Sequence, residues 1–449
     1  MFIFTTRPVI MGRRGVVTSG HYLATAAGFR IMEQGGNAID AAASMAFCLN
    51  LLEPHMNGIG GEVPTLIYSA KEQKTFSISG MGWSPKAFTI SWCKERAIDL
   101  IPGDGYLPTC VPASVDTWAV AVSRFGTKSF SEILQPAIEL AKEGFPLYET
   151  LREHLESDAE FYLERYPTTA EIYCPGGRIP EVGEIIWNPD WAATLELMCG
   201  AEQSAKGNGR EAGIEAARDV FYKGEIAERM VDFAQNTPVL DATGEEHAGF
   251  ISYEDIAEWR ANVEAPVSFP FRGLDVHKCS SWTQGPVFLQ QLALLDGFDL
   301  AGMGLNSADY LHTLMECAKL AFADREAYYG DPLFDQVPFD VLLSPDYNSD
   351  RRKLIGLDAS MEMRPGDVGE GLPAFATVDV VEDNRRAMGL EGAIREVSPK
   401  SGNPGDTTHL DAVDSEGNMV AATPSGGWIK SSPVIKGLGF PLGTRGQMF

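Results

Sequence analysis

Gly405-Asp406-Thr407-Thr408-His409 is the stretch that decides how this chain is read. It runs on into Leu410-Asp411-Ala412-Val413-Asp414 and a Gly417-Asn418 turn. A threonine that becomes the first residue of a new chain carries nucleophile and base together, because its own α-amine can take the proton of its hydroxyl. An α-amine titrates near ~7.7–8.0, close to the pH at which a general base works best. Thr407 has such an amine only once the Asp406–Thr407 bond is cut. The expectation is a precursor that cleaves itself before it acts. The bare Thr-Thr-His tripeptide is weak support, since threonine is common in strands.

Working outward, Thr408–Val413 and Met419–Thr423 are expected as strands about the Glu416-Gly417-Asn418 turn. Residues 360–406 carry Pro365, Gly366, Gly369, Gly371, Pro373, Pro399, Pro404 and many charges. They read as a surface loop feeding the Thr407 junction, with a short strand at Ala376–Val380. From about 110 to 345 helical patterns dominate: Ser114–Phe125, Phe130–Glu143, Asn188–Met198, Gly224–Gln235, Tyr253–Ala261, Pro286–Leu295 and Ser307–Tyr328. Near the N-terminus, a strand over Gly15–Ser19 precedes a helix over His21–Gln34, stopped by Gly35-Gly36. Asn37 then caps an Ala-rich helix through Leu52, with Asp40 in its first turn. Thr65–Ser69 and Thr75–Ser79 alternate as a hairpin. The Asn57-Gly58-Ile59-Gly60-Gly61 loop lacks the Lys-Ser/Thr of a phosphate-binding loop and is more often a tight turn.

Composition excludes several classes. The chain has 449 residues, 44% hydrophobic and 22% charged, with a formal net charge of -26. Such a charge disfavours nucleic acid and anionic membranes as partners and suits an acidic, solubilising surface. The seven cysteines are scattered without a CxxC pair, so neither a zinc site nor a thioredoxin-like motif is indicated. Met1-Phe2-Ile3-Phe4-Thr5-Thr6-Arg7-Pro8 has no signal-peptide core and no run of about 18 apolar residues exists; a cytoplasmic location is expected. His312 and Glu316 share a helix face, but that pair is more often structural than metal-binding. His55 reads as a hydrogen-bonded loop histidine. His409 reads as facing away from Thr408, a neighbour of the nucleophile rather than its base. Asp324-Arg325 reads as an ion pair bracing helices. No metal or cofactor is expected, and no GxSxG elbow is present.

In its ordered segments the chain resembles the γ-glutamyltranspeptidase family, the glutathione hydrolase proenzymes, from about residue 8 to the end. The matching segments include Gly35-Gly36-Asn37-Ala38-Ile39-Asp40-Ala41-Ala42, Glu53-Pro54-His55 and Gly58-Ile59-Gly60-Gly61. Further on come residues 134–141, Gly144-Phe145, Phe221-Tyr222-Lys223-Gly224, residues 321–325 and Gly330-Asp331-Pro332. Gly405–His409, Asp414, Gly417 and Asn418 complete the series. The resemblance implies an α+β N-terminal-nucleophile hydrolase fold, a four-layer αββα sandwich, as one domain with a large-subunit region 1–406 and a small-subunit region beginning at 407. A helix-rich N-terminal portion should pack on a two-layer β core, with Thr407 opening a core strand near the Gly58–Gly61 loop. The resemblance also implies autocleavage between Asp406 and Thr407, two pieces that stay associated, and a Thr407 acyl-enzyme formed from a small amide such as a γ-glutamyl amide. Ser425, 18 positions on, stands for the family's second hydroxyl residue and would bond the Thr407 hydroxyl or amine.

The departures bear on substrate. The family holds the substrate α-carboxylate with an arginine; the corresponding stretch here, residues 78–85, has Trp83 and no Arg. Arg445 is the nearest basic candidate for that contact, with a surface arginine as the alternative. Gln447-Met448-Phe449 stands where the family's Gln-Met-Asp-Asp meets the α-amine, and Gly427 where an Asn is expected. The family's second subunit is several times longer than residues 407–449 and supplies a Ser-Ser pair and a Gly-Gly oxyanion hole, so the fold is expected to be incomplete at its C-terminal end. Three functions stay open: a γ-glutamyl amidohydrolase or acyltransferase, an acylase of the same fold acting on another amide such as a cephalosporin side chain, and a non-catalytic truncated fragment.

Overall fold

The computed structural model describes residues 9–98, 101–369, 371–372 and 407–448. Met1–Pro8, Asp406, the expected strand at 376–380 and the part of the junction loop from 373 to 406 lie outside the described residues. The described chain forms two compact units: one built from residues up to Val263 and from 407 onward, the other starting at Glu264. No described helix is long and apolar enough to cross a membrane.

The first unit is organised on a six-stranded sheet. Its strands run in the order Gly15–Ser19, Leu410–Asp414, Met419–Ala422, Thr65–Ser69, Lys74–Ile78, with the two-residue Val263–Glu264 at the far edge. The pairings from Gly15 through Ile78 are antiparallel. The register sets Leu410 opposite Ala422 and Ala412 opposite Val420, and all four side chains are buried. This alternation puts one face of the strands against the helix Ala38–Leu52. Every residue of that helix is buried. It tolerates this because its small alanines let neighbours approach on all sides. Gly28 of the helix Tyr22–Glu33 serves the same close packing, since a Cβ there would strike Met45.

The N-terminus of that buried helix carries unusually full capping. Asn37 accepts from the amides of Ile39 and Asp40, and Asp40 returns a bond to the Asn37 amide. The Asp40 carboxylate also accepts from Thr127 and from the Lys128 amide. Asp414, at the end of the strand after Thr407, accepts from the Ala38 amide at 3.0 Å. A negative charge at a helix N-terminus is favourable, so the capping ties the C-terminal strand to the helix behind it. Asn418 completes the link: it donates to Asp414 and accepts from the Ala70 amide.

The expected helices appear as Ser114–Phe125, Phe130–Glu143, Pro189–Ala205, Glu225–Asn236, Tyr253–Glu258, Gly285–Leu295 and Ala308–Tyr328, most with small shifts of boundary, although the third runs well past its expected end at Met198. Two long helices, Glu149–Arg165 and Arg210–Tyr222, were not anticipated. The second carries an arginine on its buried face: Arg218 is fully buried and paired with Asp116 at 2.8 Å, which breaks the apolar stripe a helix pattern relies on. Of the two β layers expected, the described residues of this unit form one large sheet, accompanied by two-stranded pairs.

The second unit holds a hairpin, Val267–Phe271 with Leu274–Lys278, and the helices Gly285–Leu295, Ala308–Tyr328 and Pro345–Arg352. Its turn residues Arg272 and Gly273 both have positive φ (50° and 84°), the backbone that a two-residue hairpin turn demands. Val287, Leu294, Leu295, Cys317, Leu320 and Ala321 form its core. The Asp324–Arg325 ion pair does not form. Successive helical side chains diverge, so Asp324 points inward to Arg351 at 3.1 Å, Gln290 and the Gly366 amide, while Arg325 meets Gln284 and Glu326. Glu316 pairs with Lys319 and Arg364, and His312 bonds the Gly356 carbonyl. Among the described residues no cluster of His, Cys, Asp or Glu is arranged to hold a metal ion.

Candidate active site

Thr407 lies just ahead of the core strand Leu410–Asp414, and its backbone bridges to Ser425. The bridge places the two hydroxyls side by side, with Thr407 Oγ1 2.9 Å from Ser425 Oγ. Ser425 is buried and is itself pinned by a second bridge: the Glu62 amide donates to the Ser425 carbonyl at 2.9 Å, and the Ser425 amide to the Glu62 carbonyl at 3.0 Å.

The glycine loop explains how these segments come so close. A Cβ at Gly61 would run into the Ser425 carbonyl and Gly426, one at Gly58 into the Gly427 carbonyl, and one at Gly60 into the Pro441 carbonyl. Gly426 and Gly427 have φ of 64° and 61°, a left-handed pair that glycine adopts without cost. The loop therefore acts as a backbone-on-backbone seat for the segment carrying Ser425. The glycine at 427 is required by this seat.

Arg445 joins the two hydroxyls. It sits on a short turn, Arg445–Met448, brought alongside by the Gly443 amide bonding to the Gly60 carbonyl. Its Nη2 donates to Ser425 Oγ and its Nε to Glu62 Oε1. The guanidinium lies 4.8 Å from the Trp428 ring centroid, and its side chain is only 17% exposed, so it is not a surface arginine. Glu62 is buried, 4% exposed. Cys110 borders the ion pair; burial, more than any partner, pushes its thiol up to about 12, so it stays neutral there. Ser84 Oγ lies 3.8 Å from the Cys110 sulfur, which brings the residues around Trp83 to the edge of the same site. Trp83 is 37% exposed, and its indole N–H donates to the Asp255 carbonyl.

Other expected residues fall elsewhere. The Gln447 side-chain oxygen rests against Gly103 rather than in the hydroxyl pair. Asp406 lies outside the described residues. His409 is exposed and bonds Thr423 and Asp411, each at 3.0 Å, whereas Thr408 is buried, as strand alternation predicts.

Thr408 points to the opposite side of the strand, onto Glu53. Burial raises the Glu53 carboxyl above the usual range, and the hydrogen bond to Thr408 partly opposes that. His55 is not a hydrogen-bonded loop histidine. It is buried against His154 (ring centroids 4.3 Å) and Tyr148, its Nδ1 has no hydrogen-bond partner, and burial lowers its pKa to about 3. The unpartnered Nδ1 costs free energy, and a charged ring would cost more still, so burial beside His154 keeps the imidazole neutral.

Sequence reasoning missed Glu62 and Glu53. A signal existed for the first, a lone acid directly after the glycine loop in an apolar stretch. Its partner Arg445 lies too far along the chain to be inferred from spacing. Glu53 enters the sequence reading only within the matching segment Glu53-Pro54-His55, with no role of its own.

Comparison with known proteins gives the geometry a context. The family model described as γ-glutamyltranspeptidase matches residues 24–449. The glutathione hydrolase-like YwrD proenzyme of Bacillus subtilis (strain 168) is 31% identical over 371 residues, 82% of this chain and 65% of that protein. The chain thus spans about two thirds of the length of the curated relatives it matches. Among solved structures, LmbA2991HD is 41% identical with a TM-score of 0.88, covering 99% of this chain and 73% of the other. Cephalosporin acylase from Bacillus halodurans is 27% identical with a TM-score of 0.78, covering 100% of this chain and 74% of the other. The mixed architecture of helices on antiparallel strands is thus the N-terminal-nucleophile hydrolase fold, and the chain belongs to the γ-glutamyltranspeptidase family.

Proposed function

We propose that this chain belongs to the precursor of an N-terminal threonine amidohydrolase or acyltransferase, with Thr407 as nucleophile. In maturation, Thr407 Oγ attacks the Asp406 carbonyl carbon and its proton passes to the departing nitrogen. The C–N bond breaks to leave an ester. Water then opens the ester, giving an Asp406 carboxylate and a free Thr407 α-amine. In turnover, the α-amine takes the hydroxyl proton as Oγ attacks a substrate amide. The amine leaves protonated, and water or a second amine releases the acyl group from Thr407.

The observation that carries this reading is the 2.9 Å contact between Thr407 Oγ1 and Ser425 Oγ just ahead of a core strand. A hydroxyl pair there fixes the nucleophile's direction by hydrogen bonding. The strand Leu410–Asp414 lies between Gly15–Ser19 and Met419–Ala422, so a piece beginning at Thr407 would remain hydrogen-bonded into the sheet after cleavage. γ-Glutamyl amides such as glutathione are the first substrate class, in line with the names of the curated relatives.

A second reading keeps the chemistry and changes the acyl group. Trp83 offers no charge to an α-carboxylate, and the guanidinium of Arg445, beside the hydroxyl pair, already meets the Glu62 carboxylate and Ser425. A substrate carboxylate would have to share Arg445 with Glu62. This favours an acyl group lacking the α-amino-carboxylate end, and a cephalosporin acylase stands among the structures of the same fold. A panel comparing γ-glutamyl-p-nitroanilide with butyryl-p-nitroanilide on the mature enzyme decides between them. Preference for the butyryl compound is expected on the second reading. A strong preference for the γ-glutamyl compound, insensitive to Arg445→Ala, would mean that another group anchors the α-carboxylate. Loss of all turnover with Thr407→Ala is required by both.

A further inference from the structure

Glu62, Arg445 and Ser425 form a continuous line of hydrogen bonds that ends on Thr407. A serine hydroxyl has one proton and two acceptor positions, whereas a guanidinium only donates. Arg445 Nη2 fills one acceptor position on Ser425 Oγ; either hydroxyl can donate in the resting pair, but once the Thr407 proton has passed to the α-amine the serine is the donor of that pair. Glu62, on the Arg445 Nε, fixes the plane of the fork, and Trp428 stacks beneath it. We propose that Arg445, oriented by Glu62, is a positioning residue that holds the Ser425 proton on the Thr407 oxygen, so that this oxygen is stabilised as it gains negative charge on attack and again when it leaves the acyl group. The inference rests on Thr407 being the nucleophile. It assigns Arg445 to the nucleophile side of the reaction, in place of the substrate carboxylate.

The ion pair has an electrostatic consequence. Arg445 and Glu62 are opposite charges on one line to Thr407. Removing either one alone must move the acidity of the Thr407 α-amine, in opposite directions. The other charged or titratable groups around Thr407, among the described residues, do not share this line. His409 and Asp411 bond each other on the exposed face, Glu53 meets Thr408 on the opposite side of the strand, and Cys110 is a neutral thiol.

The test uses the mature enzyme obtained from the natural precursor, with p-nitrophenyl acetate as an acyl donor that does not depend on acyl-group specificity. Thr407 Oγ attacks the acetyl carbon, its proton goes to the α-amine, and p-nitrophenolate leaves. The burst rate is followed against pH. With Arg445→Met, the positive charge is lost while Glu62 remains. The acid limb should move up by about one pH unit, and the plateau should fall by ~10²-fold, the scale of losing one oxyanion donor. With Glu62→Gln, which can still accept from Nε, the acid limb should move down, with a smaller fall in plateau. Arg445→Lys should return the limb toward its normal position while the plateau stays low, because an ammonium cannot reproduce the fork. Should Arg445→Met not fold, Glu62→Gln and Arg445→Lys still carry the sign of the shift. Limbs that stay put, or move the same way in Arg445→Met and Glu62→Gln, overturn the inference while a dead Thr407→Ala leaves the nucleophile in place. A burst that survives in Thr407→Ala overturns the nucleophile assignment and the inference together.

Discussion

Ser425 is the residue whose role is most exposed to a simple substitution. Ser425→Ala removes the hydroxyl facing Thr407 and leaves an Arg445 donor without its acceptor. Turnover should fall ~10²-fold, while Ser425→Thr, which keeps the hydroxyl, should retain most of it; steady-state rates on one amide substrate check both. The histidines behind the strand predict a stability effect instead. Burial holds His55 down to about 3 and His21 down to about 4, below the ~6.5 of an unfolded histidine. The unfolded chain therefore binds more protons as pH falls. Stability is complete above ~6.5 and drops by about 1.4 kcal/mol per pH unit for each residue below it, ending near the folded values. Urea midpoints measured from pH 7.5 to 4.5 should show this slope, and His55→Phe should remove part of it. A slope unchanged in His55→Phe would contradict a buried neutral imidazole. At this scale, Thr407 was a candidate through its local chemistry and Ser425 through its spacing in the resembled family, and the structure sets their hydroxyls side by side. Glu62 and Arg445 were not legible as a pair, because an ion pair between distant segments leaves no periodicity in either.

The elements that matter most are the glycine loop and the segment it seats. Gly427 has φ of 61°, and a Cβ there would meet the backbone of Gly58, Gly60 and Gly61. Gly427→Ala should therefore cost about 3 kcal/mol, from the left-handed backbone and the collision combined. Thermal or urea unfolding checks the cost. Activity should fall as well, since the same segment carries Ser425. Gly244, with φ of 87° and open space around it, makes the control: Gly244→Ala bears the backbone strain without the collision and should be milder. The helix behind Asn37 was readable because its signal is short-range, Asn37 with Asp40 in the first turn; the structure adds a second box of the same kind, Ser129 with Glu132, ahead of Phe130–Glu143. The helix Arg210–Tyr222 and the hairpin at Arg272-Gly273 were not readable. Buried Arg218 is apolar-face in position but charged in kind, and Pro270 interrupts the strand pattern.

For the whole molecule, the division into two units predicts uneven stability. The first unit's core is large and wraps the wholly buried helix Ala38–Leu52, whereas the second rests on a handful of apolar residues about Leu294 and Leu320. Amides of Gly285–Leu295 and Ala308–Tyr328 should exchange with deuterium at lower protection than those of Ala38–Leu52. Arg351→Ala, which strands buried Asp324, should weaken the second unit by about 3–5 kcal/mol. A single protection level across both units, unmoved by that substitution, would speak for one cooperative body. The acidic net charge of -26 constrains none of this, because solvated surface charge sets solubility rather than topology. The central claim concerns the chain as a precursor, and intact-mass spectrometry with N-terminal sequencing of the natural protein tests it most directly. The account predicts two tightly associated pieces, the smaller beginning at Thr407, and a single uncut chain in Thr407→Ala. A wild-type chain that stays whole while turning over amides, or a cut that persists in Thr407→Ala, would contradict it.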